Sequence, residues 1–415
     1  MALRVRLIAL IEDIRDSYWF VPGLMALGGL AAGLGLVLLD ARLGEAWLGR
    51  FEWFYGSRPE GARAVLSTIA SSTITVAGVV FSITLAAVTY ASGQHGPRLL
   101  TNFQRDRGNQ LTLGTFIATF LFCLIVLRTI RSAEEASADT AGAMREAFVP
   151  HLAVYGAIGL AIASIAVLVY FVHHVTDSIH INNVVARIGR QLLEEIERLP
   201  TDAPPIRRVP QLNDPLEIRS AETGYIKAAD SKALLAAAER CDLQIRLIIR
   251  PGDFASAGQP LVEVAPAASV DPVVAAACRA AFAFGRKRTS LQDLRFGIDE
   301  LVEIAARALS PGINDPFTAI ACIDWLGAAI TRLADRHAPD GLLADESGVV
   351  RVVAEPLGFD SYVTAAFGQL RPYVSRDPNA RAHTAKALQT IIGRLRDPAR
   401  RHDVQYQLDE LLKSG

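Results

Sequence analysis

The feature that most constrains this chain is a set of four long stretches free of Asp, Glu, Lys, Arg and His. They run from Trp19 to Leu39, Ala64 to Tyr90, Leu111 to Leu127 and Leu152 to Val172. A helix crosses the hydrocarbon core of a bilayer with about 20 apolar residues. Backbone in lipid finds no water to bond, so such stretches are expected to be helical throughout. Composition agrees. The mean hydropathy is +0.27, and only 20% of residues are charged, against about 25% in soluble domains. Lys and Arg total 42 against 43 Asp and Glu, a net charge of -1 that excludes a generally basic, nucleic-acid-coating surface. So many apolar side chains also exclude a disordered chain.

The expected fold is an α-helical membrane protein with four transmembrane helices, followed by a soluble α+β domain containing a small β-sandwich-like module. Residues 1–176 form the membrane domain and 177–215 a stalk helix and a linker broken by Pro200, Pro204, Pro205, Pro210 and Pro215. Residues 216–268 form the β-rich module, and 269–415 a mainly helical soluble domain. Met1 to Tyr18 alternates apolar and charged residues and reads as an amphipathic helix, not a cleavable signal. Leu43, Trp47, Phe51 and Phe54 share one helical face, the pattern of a helix lying in the headgroup layer or of a loop packed on the span ends. Basic residues favour an N-terminus inside by a narrow margin. Four cysteines with neither CxxC nor zinc-ligand spacing suit a reducing compartment. Together these place both termini and the C-terminal domain in the cytoplasm.

Candidate functional residues fall into three groups. In the second span Thr68, Thr75, Ser82 and Thr89 recur every seven residues, with Ser72 close to the same face. Such a hydroxyl stripe either lines a narrow aqueous path in an oligomer, with Arg98 beyond the span biasing anion entry, or lets helices approach closely. Gly29 and Gly33 in the first span carry the same small-residue signature. At the end of the fourth span His173, Asp177 and His180 could meet on one helical face and touch a divalent ion, but they lack a fourth ligand, so no metal is expected. In the soluble part Thr289 and Gln292 make a capping-box pattern for a helix over residues 290–309. Pro311 and Gly312 stop it, and Asp315 and Pro316 start the next. Asp299, Glu303, Asn314 and Asp315 around this corner could surround a catalytic pocket, although capping and solvation account for each of them. Motifs for zinc hydrolysis, serine nucleophiles and nucleotide phosphates are absent from the sequence.

Two resemblances add to this reading. Residues 217–265, with the Pro251-Gly252-Asp253 turn and Gln259-Pro260-Leu261, resemble the second half of a biotinyl/lipoyl-like sandwich. Carrier domains present their lysine in a tight hairpin, whereas Lys227 precedes a helix, so no biotin, lipoate or other cofactor is expected. Taken together, Phe81-Ser82-Ile83-Thr84 through Ser92–Leu100, the 224–260 module and Ser310-Pro311-Gly312-Ile313-Asn314-Asp315-Pro316-Phe317-Thr318-Ala319 resemble the bacterial predicted-membrane-protein family called domain of unknown function 2254. The resemblance implies an inner-membrane protein with an N-terminal membrane domain and a C-terminal soluble domain, and implies no activity. The expected function is a homo-oligomeric channel whose soluble domain assembles or gates it. The alternatives are a non-catalytic sensor or scaffold holding a protein or small-ion ligand and, last, a membrane-associated enzyme. The lipid bilayer and further copies of the chain are the expected partners, and nucleic acid is not.

Overall fold

The structure, a computed structural model, describes residues 17–43, 58–95, 106–131, 148–204 and 207–414. The expected amphipathic segment before Ser17, the interfacial stretch through Trp47 and Phe54, and Arg98 lie outside the described residues. Described residues up to His180 form one compact unit, and those from Ile181 onward form another.

In the first unit the apolar stretches are helices: α1 (Phe20–Leu43), α2 (Pro59–His95), α3 (Arg107–Thr129) and α4 (His151–Ile179). Each is long and apolar enough to cross a membrane. The helices outrun the charge-free stretches, so Asp40 and Arg128 sit on terminal turns and His173 within the last two turns of α4. Helix α3 is the most enclosed, burying Phe116, Phe122, Cys123 and Val126 against the other three. Since lipid is as apolar as leucine, close backbone approach rather than hydrophobicity holds such a bundle together. Gly29 of α1 supplies that approach: a Cβ there would stand 2.5 Å from the Ala118 carbonyl oxygen of α3.

Polar ties close the bundle at both ends. At one end the Asp40 carboxylate accepts hydrogen bonds from the Leu152 and Ala153 amides, both at 3.1 Å, and so caps α4 from a different helix. Arg63 donates to the Ile130 carbonyl at 3.0 Å beside it. At the other end Asp106 caps its own helix α3 through the Gly108 amide at 2.8 Å and also meets His174 Nε2 of α4 at 2.7 Å. Midway, Thr119 and Ser164 hydroxyls lie 3.2 Å apart between α3 and α4.

The second unit begins with α5 (Ile181–Glu197). This is the segment read as a polar stalk. Its stripe of Val184, Val185, Ile188, Leu192 and Ile196 is buried, and it packs on α8 (Arg295–Ala308) and α9 (Pro316–Leu333) within the unit. Strands β1 (Leu216–Arg219), β2 (Gly224–Ala229), β3 (Gln244–Leu247), β4 (Phe254–Ala255), β5 (Pro260–Ala265), β6 (Phe282–Gly285), β7 (Leu342–Ala344) and β8 (Val350–Val353) make two sheets. Their orders are β1-β5-β3-β8-β7 and β4-β2-β6. The β-layer thus draws β6, β7 and β8 from beyond residue 268. β8 runs parallel to β3, and β7 and β8 form the hairpin around Asp345. Helices α6 (Ser231–Arg240) and α7 (Pro272–Ala280) complete a core around Leu234, Ile245, Val262, Val264, Cys278 and Phe282.

Four helices of this unit start on one dipeptide, Asp-Pro: α7, α9 and, beyond the short α10 (Phe359–Val363) and α11 (Arg371–Val374), α12 (Pro378–Arg394) and α13 (Pro398–Lys413). Aspartate accepts the orphan amides of the first turn, and proline fixes the first helical φ without losing a needed donor. The capping-box expectation fails at α8. The helix starts at Arg295, because Gln292 does not reach back; its Oε1 accepts from the Ala229 amide of β2 at 3.0 Å. The Thr289 hydroxyl is buried and makes no hydrogen bond. A long-range bond outcompetes the local one.

Candidate functional site

On α2, Ala62, Leu66, Ala70, Thr73, Ala77, Val80, Thr84 and Ala87 are buried. This inward stripe leaves Thr68, Ser72, Thr75, Ser82 and Thr89 exposed on the other side. None of them packs inside the four-helix unit, so close packing within one copy does not explain them. Thr68, Thr75 and Ser82 each donate at 2.8 Å, and Thr89 at 2.9 Å, to the carbonyl four residues back. With its proton bonded internally, a hydroxyl costs little in lipid, and its oxygen still offers lone pairs outward. A Cβ at Gly78, within the stripe, would meet nothing within 4 Å.

The other sequence candidates separate. His173 Nε2 lies 3.6 Å from Asp177, and His180 ends the helix through its backbone amide on Asp177. Among the described residues no group of His, Cys, Asp or Glu is arranged to hold a metal ion. The histidine with a buried partner is the next one along, His174 on Asp106. At the helical corner Asp315 is committed to capping α9, taking the Thr318 amide at 3.1 Å and its hydroxyl at 2.6 Å. Asn314 adopts φ 50°, turns the chain and is exposed. Asp299 lies nine residues before Ala308, whose carbonyl receives the Asp315 amide. At 1.5 Å per residue that is about 14 Å along α8. Glu303 sits one turn on from Asp299 and is half-buried. These four residues do not converge on one point.

A group that sequence reasoning missed does converge. A cleft of about 650 Å³ opens in the second unit. Its walls come from the end of α5, the turn after β3, the loop before α8, the end of α9, the segment after β8 and α13. Apolar side chains make much of it, Leu247, Leu333, Leu357 and Phe359 among them, with Arg198, Arg250, Arg336 and Arg400 between. Arg250 Nε donates to the Glu355 carbonyl at 2.9 Å and Arg336 to the Leu199 carbonyl at 3.1 Å. Arg400 donates to the Ala334 and Arg336 carbonyls, its guanidinium 5.4 Å from the Phe359 ring centre. Burial pushes the carboxyls of Glu195 and Asp293 and the phenol of Tyr362 up from their usual ranges.

One ion-pair group fixes the loop that carries Asp293. Arg288 donates to Asp293 Oδ2 at 2.6 Å and to Asp299 Oδ2 at 2.5 Å, and all three side chains are largely buried. No local pattern in the sequence marks the cleft, because its arginines are spread over two hundred residues.

The chain has relatives over nearly its whole length. The uncharacterized protein Rv1290c of Mycobacterium tuberculosis is 31% identical over 419 residues, covering 98% of this chain and 78% of the relative. The uncharacterized protein Mb1321c of Mycobacterium bovis matches to the same extent. No solved structure matches the chain significantly. The family model described as predicted membrane protein (DUF2254) matches residues 15–390. With four membrane-length helices ahead of a mixed helical and β unit, and a family match over most of its length, the chain belongs to this DUF2254 family of bacterial membrane proteins.

Proposed function

We propose that the chain is a homo-oligomeric channel of the bacterial inner membrane, with the outward stripe of α2 set along a path between copies. The observation that carries this reading is the exposure of Thr68, Ser72, Thr75, Ser82 and Thr89 on a helix whose opposite face is buried. A stripe of acceptor oxygens facing out of one copy replaces part of a permeant's hydration once copies surround an axis. The described helices hold no charged side chain mid-span, which argues against a carrier driven by protonation of a buried carboxylate. The soluble unit and both termini then lie in the cytoplasm, in keeping with four free cysteines, of which only Cys241 is exposed. The test is conductance of purified protein in planar bilayers. Wild type conducts, while Thr75→Leu and Ser82→Leu conduct at least about tenfold less, because each leucine puts an apolar plug where an oxygen stood. Three equal conductances, or none from wild type, remove the channel.

A second reading has its own support. The cleft of the soluble unit suits a sensor that binds a ligand without catalysis. It predicts a specific ligand and no conductance.

A further inference from the structure

The cleft points to a ligand class independently of the channel reading. Its volume of about 650 Å³ falls in the range of small-molecule sites, about 300–1,000 Å³, which combine apolar walls with a few converging polar groups. Here the polar groups are mainly donors. Arg250 and Arg336 each use one N–H on a backbone carbonyl and keep the others. The Arg198 side chain makes no hydrogen bond among the described residues and stands near Glu195. The Tyr362 phenol, neutral at neutral pH and pushed further up by burial, adds an O–H. Of the three acids against four arginines, Glu195 stands beside Arg198, Asp293 is matched by Arg288 from outside the lining, and Glu355 is the third. The carbonyl bonds hold the Arg250 and Arg336 guanidiniums in place before anything binds, which lowers the cost of ordering them.

We propose that this cleft binds a small amphiphilic anion, a phosphate or carboxylate on an apolar body, with the acid group on Arg198, Arg250 and Arg336 and the body along Leu247, Leu333 and Leu357. A guanidinium favours a carboxylate or phosphate through paired N–H donors, while burial of the apolar part in the leucine wall adds a contribution that inorganic phosphate lacks.

The experiment is calorimetric titration of the full chain in lipid nanodiscs with three probes: 1-naphthyl phosphate, inorganic phosphate and 1-naphthol. The phosphate ester is expected to bind saturably at one site per chain, at least about tenfold tighter than either half, and more weakly as salt rises. Arg198→Ala is expected to leave the fold in place, since that exposed side chain makes no hydrogen bond among the described residues, and to weaken the ester about tenfold. Arg250→Gln keeps a donor for the Glu355 carbonyl and is expected to do the same. Arg208→Ala, at an exposed position outside the cleft, leaves binding unchanged. Equal affinity for the ester and inorganic phosphate, affinity untouched by both cleft substitutions, or no binding by any probe overturns the proposal.

Discussion

Arg288→Ala is expected to destabilise the soluble unit by about 3–5 kcal/mol, the range for removing one partner of a buried ion pair. The pair group has Arg288 at 16% side-chain exposure between Asp293 at 4% and Asp299 at 9%. Asp299 keeps a second, longer contact to Arg295 Nε at 3.4 Å, so Asp293 is the carboxylate left without an ion-paired partner, with Arg295 acting on it only at longer range. The sign of the pH dependence follows. Burial already raises the Asp293 carboxyl against the pull of Arg288, and losing the arginine raises it further. A carboxyl whose folded pKa exceeds its unfolded value holds a proton that the unfolded chain has shed. The deficit is therefore absent below the unfolded pKa and grows as pH rises through the folded one. Thermal unfolding of the full chain in detergent, followed by circular dichroism at several pH values, checks this. For a unit of this size the midpoint falls by about 10 °C at neutral pH, and the loss shrinks on acidification. The loop also carries Asp293, Gln292 and Ser290 of the cleft wall, so the same variant loses affinity for the anionic probe.

Gly29→Leu is expected to loosen the membrane unit by about 1–3 kcal/mol or more, the cost of inserting bulk into a packed interface. The Cβ alone would meet Ala118 at its carbonyl oxygen, at Cα 2.9 Å away and at the carbonyl carbon 3.0 Å away. These are backbone atoms of α3. With no flexible side chain to yield, the helices must part, and α3 is the element the other three pack on. Gly28→Leu is the control, since a Cβ there meets nothing within 4 Å. In SDS titration of protein in mixed micelles, the Gly29 variant unfolds at lower SDS and the Gly28 variant matches wild type. Equal midpoints would show that α1 does not sit on α3 as described.

The sequence made these parts legible to different degrees, for physical reasons. The spans could be read because exclusion of charge is a property of consecutive residues. The Asp315-Pro316 start was equally plain, since a cap acts over three residues. The hydroxyl stripe was legible as a spacing, but its direction was not. Heptad spacing places Thr68, Thr75, Ser82 and Thr89 together without saying whether that side faces in or out. Only the burial of Leu66, Thr73, Val80 and Thr84 opposite decides it. The start of α8 was misread because Gln292 bonds to β2, sixty-three residues away, a competitor no local pattern records. Sequence spacing also does not say which of two adjacent histidines finds a partner: His173 faces outward at 84% side-chain exposure while His174 reaches Asp106. The cleft was out of reach altogether. Its arginines lie at 198, 250, 336 and 400 and meet only through the tertiary fold.

Chemical cross-linking between copies puts the outward stripe to the most direct trial. Cys241→Ser removes the one exposed thiol among Cys123, Cys241, Cys278 and Cys322. In that background Ser82→Cys and Thr75→Cys report on the stripe, and Ile162→Cys, 65% exposed on α4, reports on a face with no such pattern. Native membranes treated with a short bis-maleimide should yield linked dimers and higher species from both stripe positions, and single chains from Ile162→Cys. Single chains from all three, or equal linking at every position, would mean that the α2 stripe faces lipid and borders no other copy.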